Sequence, residues 1–138
     1  MVVTRRHHVS TRGQGDAHDL TAFVATAVQD SGVAAGTVTV FVVGSTATIT
    51  TIEFESGAVA DLNRTLEHLA PRASEYQHHL RWHDDNGSSH VRAALMGPSV
   101  TIPFADGALL LGTWQQIMLL ELDTRARQRE IVVQIVGD

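Results

Sequence analysis

The chain contains no cysteine and no lysine, and all ten of its basic residues are arginine. Without cysteine there is no thiolate nucleophile, disulfide framework or zinc-thiolate cluster. Without lysine there is no Schiff base and no phosphate-loop lysine. Positive charge is in deficit as well: 15 acids against 10 arginines give a formal charge of −5. That balance argues against a protein whose affinity comes from neutralising a phosphate backbone, so nucleic acid is not an expected partner. No apolar run approaches the roughly 20 residues of a membrane helix. The beginning, Met1-Val-Val-Thr-Arg-Arg-His-His, lacks the apolar stretch of a secretory leader. The expectation is a cytoplasmic protein that does not engage a membrane.

What is present reads as one domain, residues 1–138. With 43 % hydrophobic and 18 % charged residues, a chain of this length buries about two thirds of its unfolded surface without covalent staples. Residues 2–10, rich in β-branched side chains, suit an edge or half-exposed strand. Asp16 or Asp19 can cap a helix in which Leu20, Phe23, Val24, Ala27 and Val28 fall on one face, ending before Gly32. TVTVFVV (37–43) and TATITTIE (46–53) read as two strands joined at Gly44. Val59, Leu62, Leu66 and Leu69 mark a second amphipathic helix over 57–70, stopped by Pro71.

Residues 72–89 lose periodicity and read as a long polar loop, a length that compact domains keep mainly for function. A short helix follows from Val91 to Gly97. Four strands complete the chain: SVTIPF (99–104), ALLLG (108–112), TWQQIMLLELD (113–123) and EIVVQIVGD (130–138). Asp106-Gly107 turns the first hairpin, and an arginine-rich turn precedes the last strand. Consecutive strands with tight turns predict an α+β fold with a mainly antiparallel sheet and two to three helices packed on one side.

Several groupings can carry chemistry. His78, His79, His83 and His90 lie within thirteen residues, beside Asp84, Asp85 and Asn86. Imidazole with carboxylate suits Zn, Mn, Fe or Ni, yet the spacing is that of no helix-borne ligand pair, and four solvated loop histidines would look the same. Gly44-Ser45-Thr46 offers backbone N–H groups and hydroxyls to an anion, or forms a plain turn. Glu53 can serve as a general base or a ligand, while Glu55 can simply face solvent. Trp114, Gln115 and Gln116 form a polar patch that fits a subunit interface, a ligand pocket or an edge position. Arg125, Arg127 and Arg129 can hold an anion or stay solvated.

Taken in order, several stretches resemble the YjbQ family, also known as UPF0047 and labelled a secondary thiamine-phosphate synthase. They are SGVAAGTVTVFV (31–42), GSTATITTIE (44–53), Tyr76-x-His78, DNGSSHVRAALMGPS (85–99), DGALLLGTWQQI (106–117) and IVVQIVG (131–137). The resemblance implies a small α+β domain that assembles as a homotrimer, with a histidine pocket able to hold a divalent metal. Of the family's three histidines, the second and third correspond to His78 and His90. The first corresponds to Gly44, as in a branch that reads G-S-T-x-x-x-T-T-I-E in place of H-T-T. Asp84 or His83 lies close enough in sequence to replace the missing ligand. The expected metal set is thus His78, His90 and Asp84. Zinc suits these donors best, and Mg or Mn would accompany phosphoryl chemistry. Glu53, at the family's acidic position, and Asn86 are the expected catalytic residues. Ser45, Thr46, Trp114 and Gln115 are the expected contacts to a phosphorylated small molecule. The alternative is a non-catalytic trimer that binds a small molecule or anion.

Overall fold

A computed structural model describes all residues, 1–138. The elements run β1 (Val2–Ser10), β2 (Ala17–Asp19), α1 (Thr21–Ser31), β3 (Gly36–Val43), β4 (Ala47–Ile52), α2 (Ser56–Leu69) and α3 (Gln77–Trp82). Then follow α4 (Gly87–Met96), β5 (Ser99–Ala105), β6 (Ala108–Leu109), β7 (Gln116–Glu121) and β8 (Gln128–Gly137). The α+β class and the antiparallel pairing hold throughout. The strands, however, divide into two sheets, β1-β8-β3-β5-β6 and β2-β7-β4.

The division follows from side-chain alternation along β7, which is buried from Ile117 to Glu121. Ile117 and Leu119 join the larger core with Val38, Val40 and Val42 of β3, Ile131, Val133 and Ile135 of β8, and Val24 and Val28 of α1. Met118 and Leu120, on the opposite face, pack with Leu122, Leu66 of α2 and Ala93 of α4. The small sheet is therefore the middle layer of the molecule. Helices lie on both sides of it, which corrects the expected one-sided arrangement. A continuous apolar run such as IMLL is what a strand covered on both faces requires.

Three local readings change. The 72–89 loop contains α3 and the first residues of α4, so there are four helices rather than two or three. The short polar α3 escaped notice because six residues, QHHLRW, carry too little periodicity to register. Asp19, not Asp16, secures the start of α1, accepting from the Thr21 N–H at 2.9 Å and its hydroxyl at 2.6 Å. Glu55 does more than face solvent: it caps α2, accepting from the N–H groups of Gly57 (2.7 Å) and Ala58 (2.8 Å). Those two bonds hold its carboxyl below the usual range. No helix is long and apolar enough to cross a membrane.

Leu119 is fully buried in the larger core. Leu119→Ala should lower stability by about 2–5 kcal/mol, read as an earlier urea midpoint with an unchanged slope, whereas Thr101→Ala on the exposed sheet face should shift it little.

Candidate functional site

The ends of β4 and β7 meet beneath α3 and α4, and there the chemistry-bearing side chains collect. The first anchor is buried. Arg129, on β8, donates from Nε to Glu121 Oε1 at 2.7 Å and from Nη2 to Glu121 Oε2 at 2.5 Å. The same Nη2 reaches the carbonyl and the hydroxyl of Thr46 at 3.0 and 2.8 Å. Glu121 also accepts from the Thr11 hydroxyl at 2.7 Å and from the N–H groups of Leu122 and Asp123. Every polar atom of this carboxylate is thereby answered, the condition under which a buried ion pair is tolerable.

Thr46 passes the order on. Its hydroxyl donates to Asp123 Oδ2 at 2.9 Å, and Arg127 Nε donates to the same oxygen at 2.9 Å. Burial alone would raise the Asp123 carboxyl, but the bonds from Arg127, Thr46 and the Thr124 N–H overcome it and hold it at about 2. The Asn86 amide nitrogen lies 3.4 Å from Asp123 Oδ1. With the amide turned over, it donates instead to Asp84 Oδ1 and Oδ2 at 3.0 and 3.2 Å. Asn86 thus stands between two carboxylates.

Above this base the two histidines converge. The rings of His78 on α3 and His90 on α4 are 4.5 Å apart, centroid to centroid. His78 Nδ1 faces Asp84 Oδ1 at 3.1 Å. In the neutral ring this places the proton on Nδ1 and leaves the Nε2 lone pair available. Burial, and then the neighbouring His78, push His90 below its ordinary value. The turn that delivers Asp84 is tight: His83 and Asp85 both take left-handed backbone, with φ of 56° and 59°. Gly87 is dictated by contact, since a Cβ there would meet the Tyr76 Cβ at 2.5 Å. Arg92, fully buried, fixes α4 to α2 through Ala70 O at 3.0 Å and Glu67 Oε2 at 2.5 Å.

Of the expected residues, Ser45, Thr46, His78, Asp84, Asn86 and His90 come together at this end. Glu53, Trp114 and Gln115 do not. They lie at the other end of the β4–β7 pair, because Thr46 and Glu53 flank a six-residue strand, a separation of roughly 20 Å. Trp114 is 73 % exposed. Gln115 organises its own loop, accepting from the Gly112 N–H at 3.1 Å and donating to the Thr51 hydroxyl at 3.2 Å. The arginine-rich turn is not simply solvated: Arg127 and Arg129 are committed to Asp123 and Glu121, and only Arg125 is left exposed. The residues missed in the sequence are Glu121 and Asp123, hidden at the end of an apolar strand with nothing local to mark them.

A metal ion has limited material here. Two imidazoles converge, but Asp84 turns an oxygen to His78 Nδ1, and no group of three or more His, Asp or Glu side chains is placed to hold an ion. A cavity of about 870 Å³ opens against α3, lined in part by Glu67, Arg72, Tyr76, His79 and Asp85 but by neither His78 nor His90.

The family model described as UPF0047 protein YjbQ-like matches residues 5–138. The chain belongs to the YjbQ family. A UPF0047 protein of Methanothermobacter thermautotrophicus is 36 % identical to this YjbQ-family chain over 136 residues, covering 99 % of this chain and 93 % of that protein. One from Methanocaldococcus jannaschii is 34 % identical over 134 residues, covering 96 % and 94 %. Among solved structures, a YjbQ-like protein of unknown function from Sulfolobus solfataricus superposes with a TM-score of 0.89 at 30 % identity, covering all of both chains. A member of the family from Clostridium acetobutylicum gives 0.83 at 32 % identity, covering 94 % of this chain and 99 % of the other.

Two outcomes follow from the site's electrostatics. Glu121→Ala strands the Arg129 charge in the interior and should cost about 3–5 kcal/mol, measured by urea unfolding. His90 should titrate with a midpoint below 6.5 in NMR spectra. Because its folded pKa is the lower one, the unfolded chain takes up the proton first. The contribution of neutral His90 is therefore complete above pH 6.5 and is lost as pH falls through the window below it. His90→Asn should flatten the dependence of stability on pH there.

Proposed function

We propose that the His78–His90 end of the molecule binds a phosphorylated small molecule and that His78, backed by Asp84, serves there as a proton acceptor. The observation that carries this reading is the 3.1 Å contact from His78 Nδ1 to Asp84, with His90 alongside at 4.5 Å. A carboxylate behind an imidazole fixes the ring's orientation and its tautomer, so that the Nε2 lone pair is the one turned to a ligand. The first turn of α4 has neither a side-chain cap nor an acidic residue, which favours an anionic group over a cationic one. Ser45, Thr46 and Asn86 add donors around it. The weak thiamine-phosphate-synthase-type reaction that the resemblance implies is one member of this class. Its pyrophosphate leaving group calls for donors to the developing charge. In a non-catalytic protein the same residues hold the ligand without turnover.

A second reading keeps His78 and His90 as ligands of a divalent ion and rests on the approach of the two rings. Zinc fits imidazole, whereas Mg or Mn would serve phosphoryl chemistry. A bound ion would supply Lewis acidity next to the phosphate. The homotrimer belongs to this proposal too. The outer face of the larger sheet exposes Val2, Phe41, Val43 and Val136, an apolar area suited to a neighbouring copy.

Thermal-shift measurements over a set of phosphorylated metabolites provide the test, with metal content measured on the same protein by mass spectrometry. A ligand at 100 times its Kd should add about 2.7 kcal/mol, and the gain should vanish in His78→Ala/His90→Ala. A response to no phosphorylated compound, or an equal response in the double variant, would sink the reading. Metal near one per chain that is lost in the double variant selects the second reading. Light scattering at the 14.9 kDa monomer mass would remove the trimer.

A further inference from the structure

Arg129 has one nitrogen left over. Its side chain is 6 % exposed, and Nε and Nη2 are taken up by Glu121 and Thr46, while Nη1 makes no hydrogen bond. The buried side-chain nitrogens and oxygens without partners are Gln14 Oε1, His79 Nε2 and Ser89 Oγ. Nη1 is not one of them, so it reaches solvent. The opening is Gly44. A Cβ at that position would stand 2.7 Å from Nη1, and the backbone there takes a φ of 142° that side chains rarely adopt. Gly44 and the neighbouring Ser45 are both exposed.

The result is a buried guanidinium, locked in orientation by a carboxylate on one edge, that shows its remaining N–H donors through a gap in the backbone. Arginine can only donate, and its geometry matches phosphate oxygens. Held in place beforehand, it loses little freedom on binding. Of the other two arginines of this turn, Arg127 spends both Nε and Nη2 on Asp123, and Arg125 is exposed and not held in place by a partner. The Thr46 hydroxyl connects the gap to the histidine site, bonding Arg129 at 2.8 Å and Asp123 at 2.9 Å.

We infer that Arg129 Nη1, reached through the gap at Gly44, is the contact that holds the phosphate group of the ligand. This deepens the reading of the His78–His90 site as one for a phosphorylated small molecule. The side chain at position 44 then decides whether a phosphate can approach at all.

The experiment is a titration of the labelled full chain with inorganic phosphate, following arginine guanidinium and histidine ring signals by NMR, with chloride at equal ionic strength as the control. The expected result is a saturable shift of the Arg129 Nη1 signals with phosphate and none with chloride. Gly44→Ala should weaken phosphate binding about tenfold or more. The dispersed amide spectrum verifies that this variant is folded, and the wild-type titration stands without it. Shifts at His78 and His90 with Arg129 silent would overturn the inference and leave the phosphate reading intact. Shifts at Arg129 with the histidines silent would support the inference and remove the histidine site from the reading. Silence at both, or unchanged affinity in folded Gly44→Ala, overturns the inference.

Discussion

The buried pair of Arg129 and Glu121 is the contact on which the functional end of the molecule depends. Arg129 comes from the five-stranded sheet and Glu121 from the three-stranded one, so the pair ties the two layers together where their strands run out. Desolvating two charges is costly, and a pair in the interior is tolerated only when its remaining donors and acceptors are met. Here Thr11 and two backbone N–H groups meet those of the carboxylate, while Thr46 accepts from the guanidinium. The pair thereby fixes the turn before β4 and the residues after β7, which carry Thr46 and Asp123, and Asp123 in turn faces Asn86 below the histidine pair.

The second constraint lies in α3 and the turn after it. His78 and His79 are neighbours on a six-residue helix, and Asp84 and Asp85 are neighbours in the turn. His78 meets Asp84 at 3.1 Å, while His79 stands 3.6 Å from Asp85. His79 lines the large cavity next to Glu67 and Tyr76, whereas His78 turns to His90. One short helix therefore sorts two adjacent imidazoles into different surroundings, and left-handed backbone at His83 and Asp85 makes room for the sharp return.

Much of this was legible locally. Apolar spacing located α1 and α2 because a helix that covers a core must repeat its contacts every three to four residues. Runs such as TVTVFVV and IVVQIV located β3 and β8 because β-branched side chains suit a pleated, covered surface. The cluster of His78, Asp84, Asn86 and His90 was legible for the same reason: its members lie close in sequence, so folding had only to bend one segment on itself. Glu53, Trp114 and Gln115 were grouped with them on other grounds, and a strand's length separates them within the chain.

The sequence by itself determined the α+β class, the antiparallel pairing and the histidine-rich segment, because periodicity and composition act over a few residues. Only the tertiary structure decided that β7 is a middle layer covered on both faces, since a run of apolar residues does not say what lies on either side. Only it joined Arg129 to Glu121 and Thr46, residues from a strand of each sheet and from the turn that precedes β4. And only it gave Gly44 a meaning, because the guanidinium behind that glycine is contributed by a residue 85 positions further along the chain.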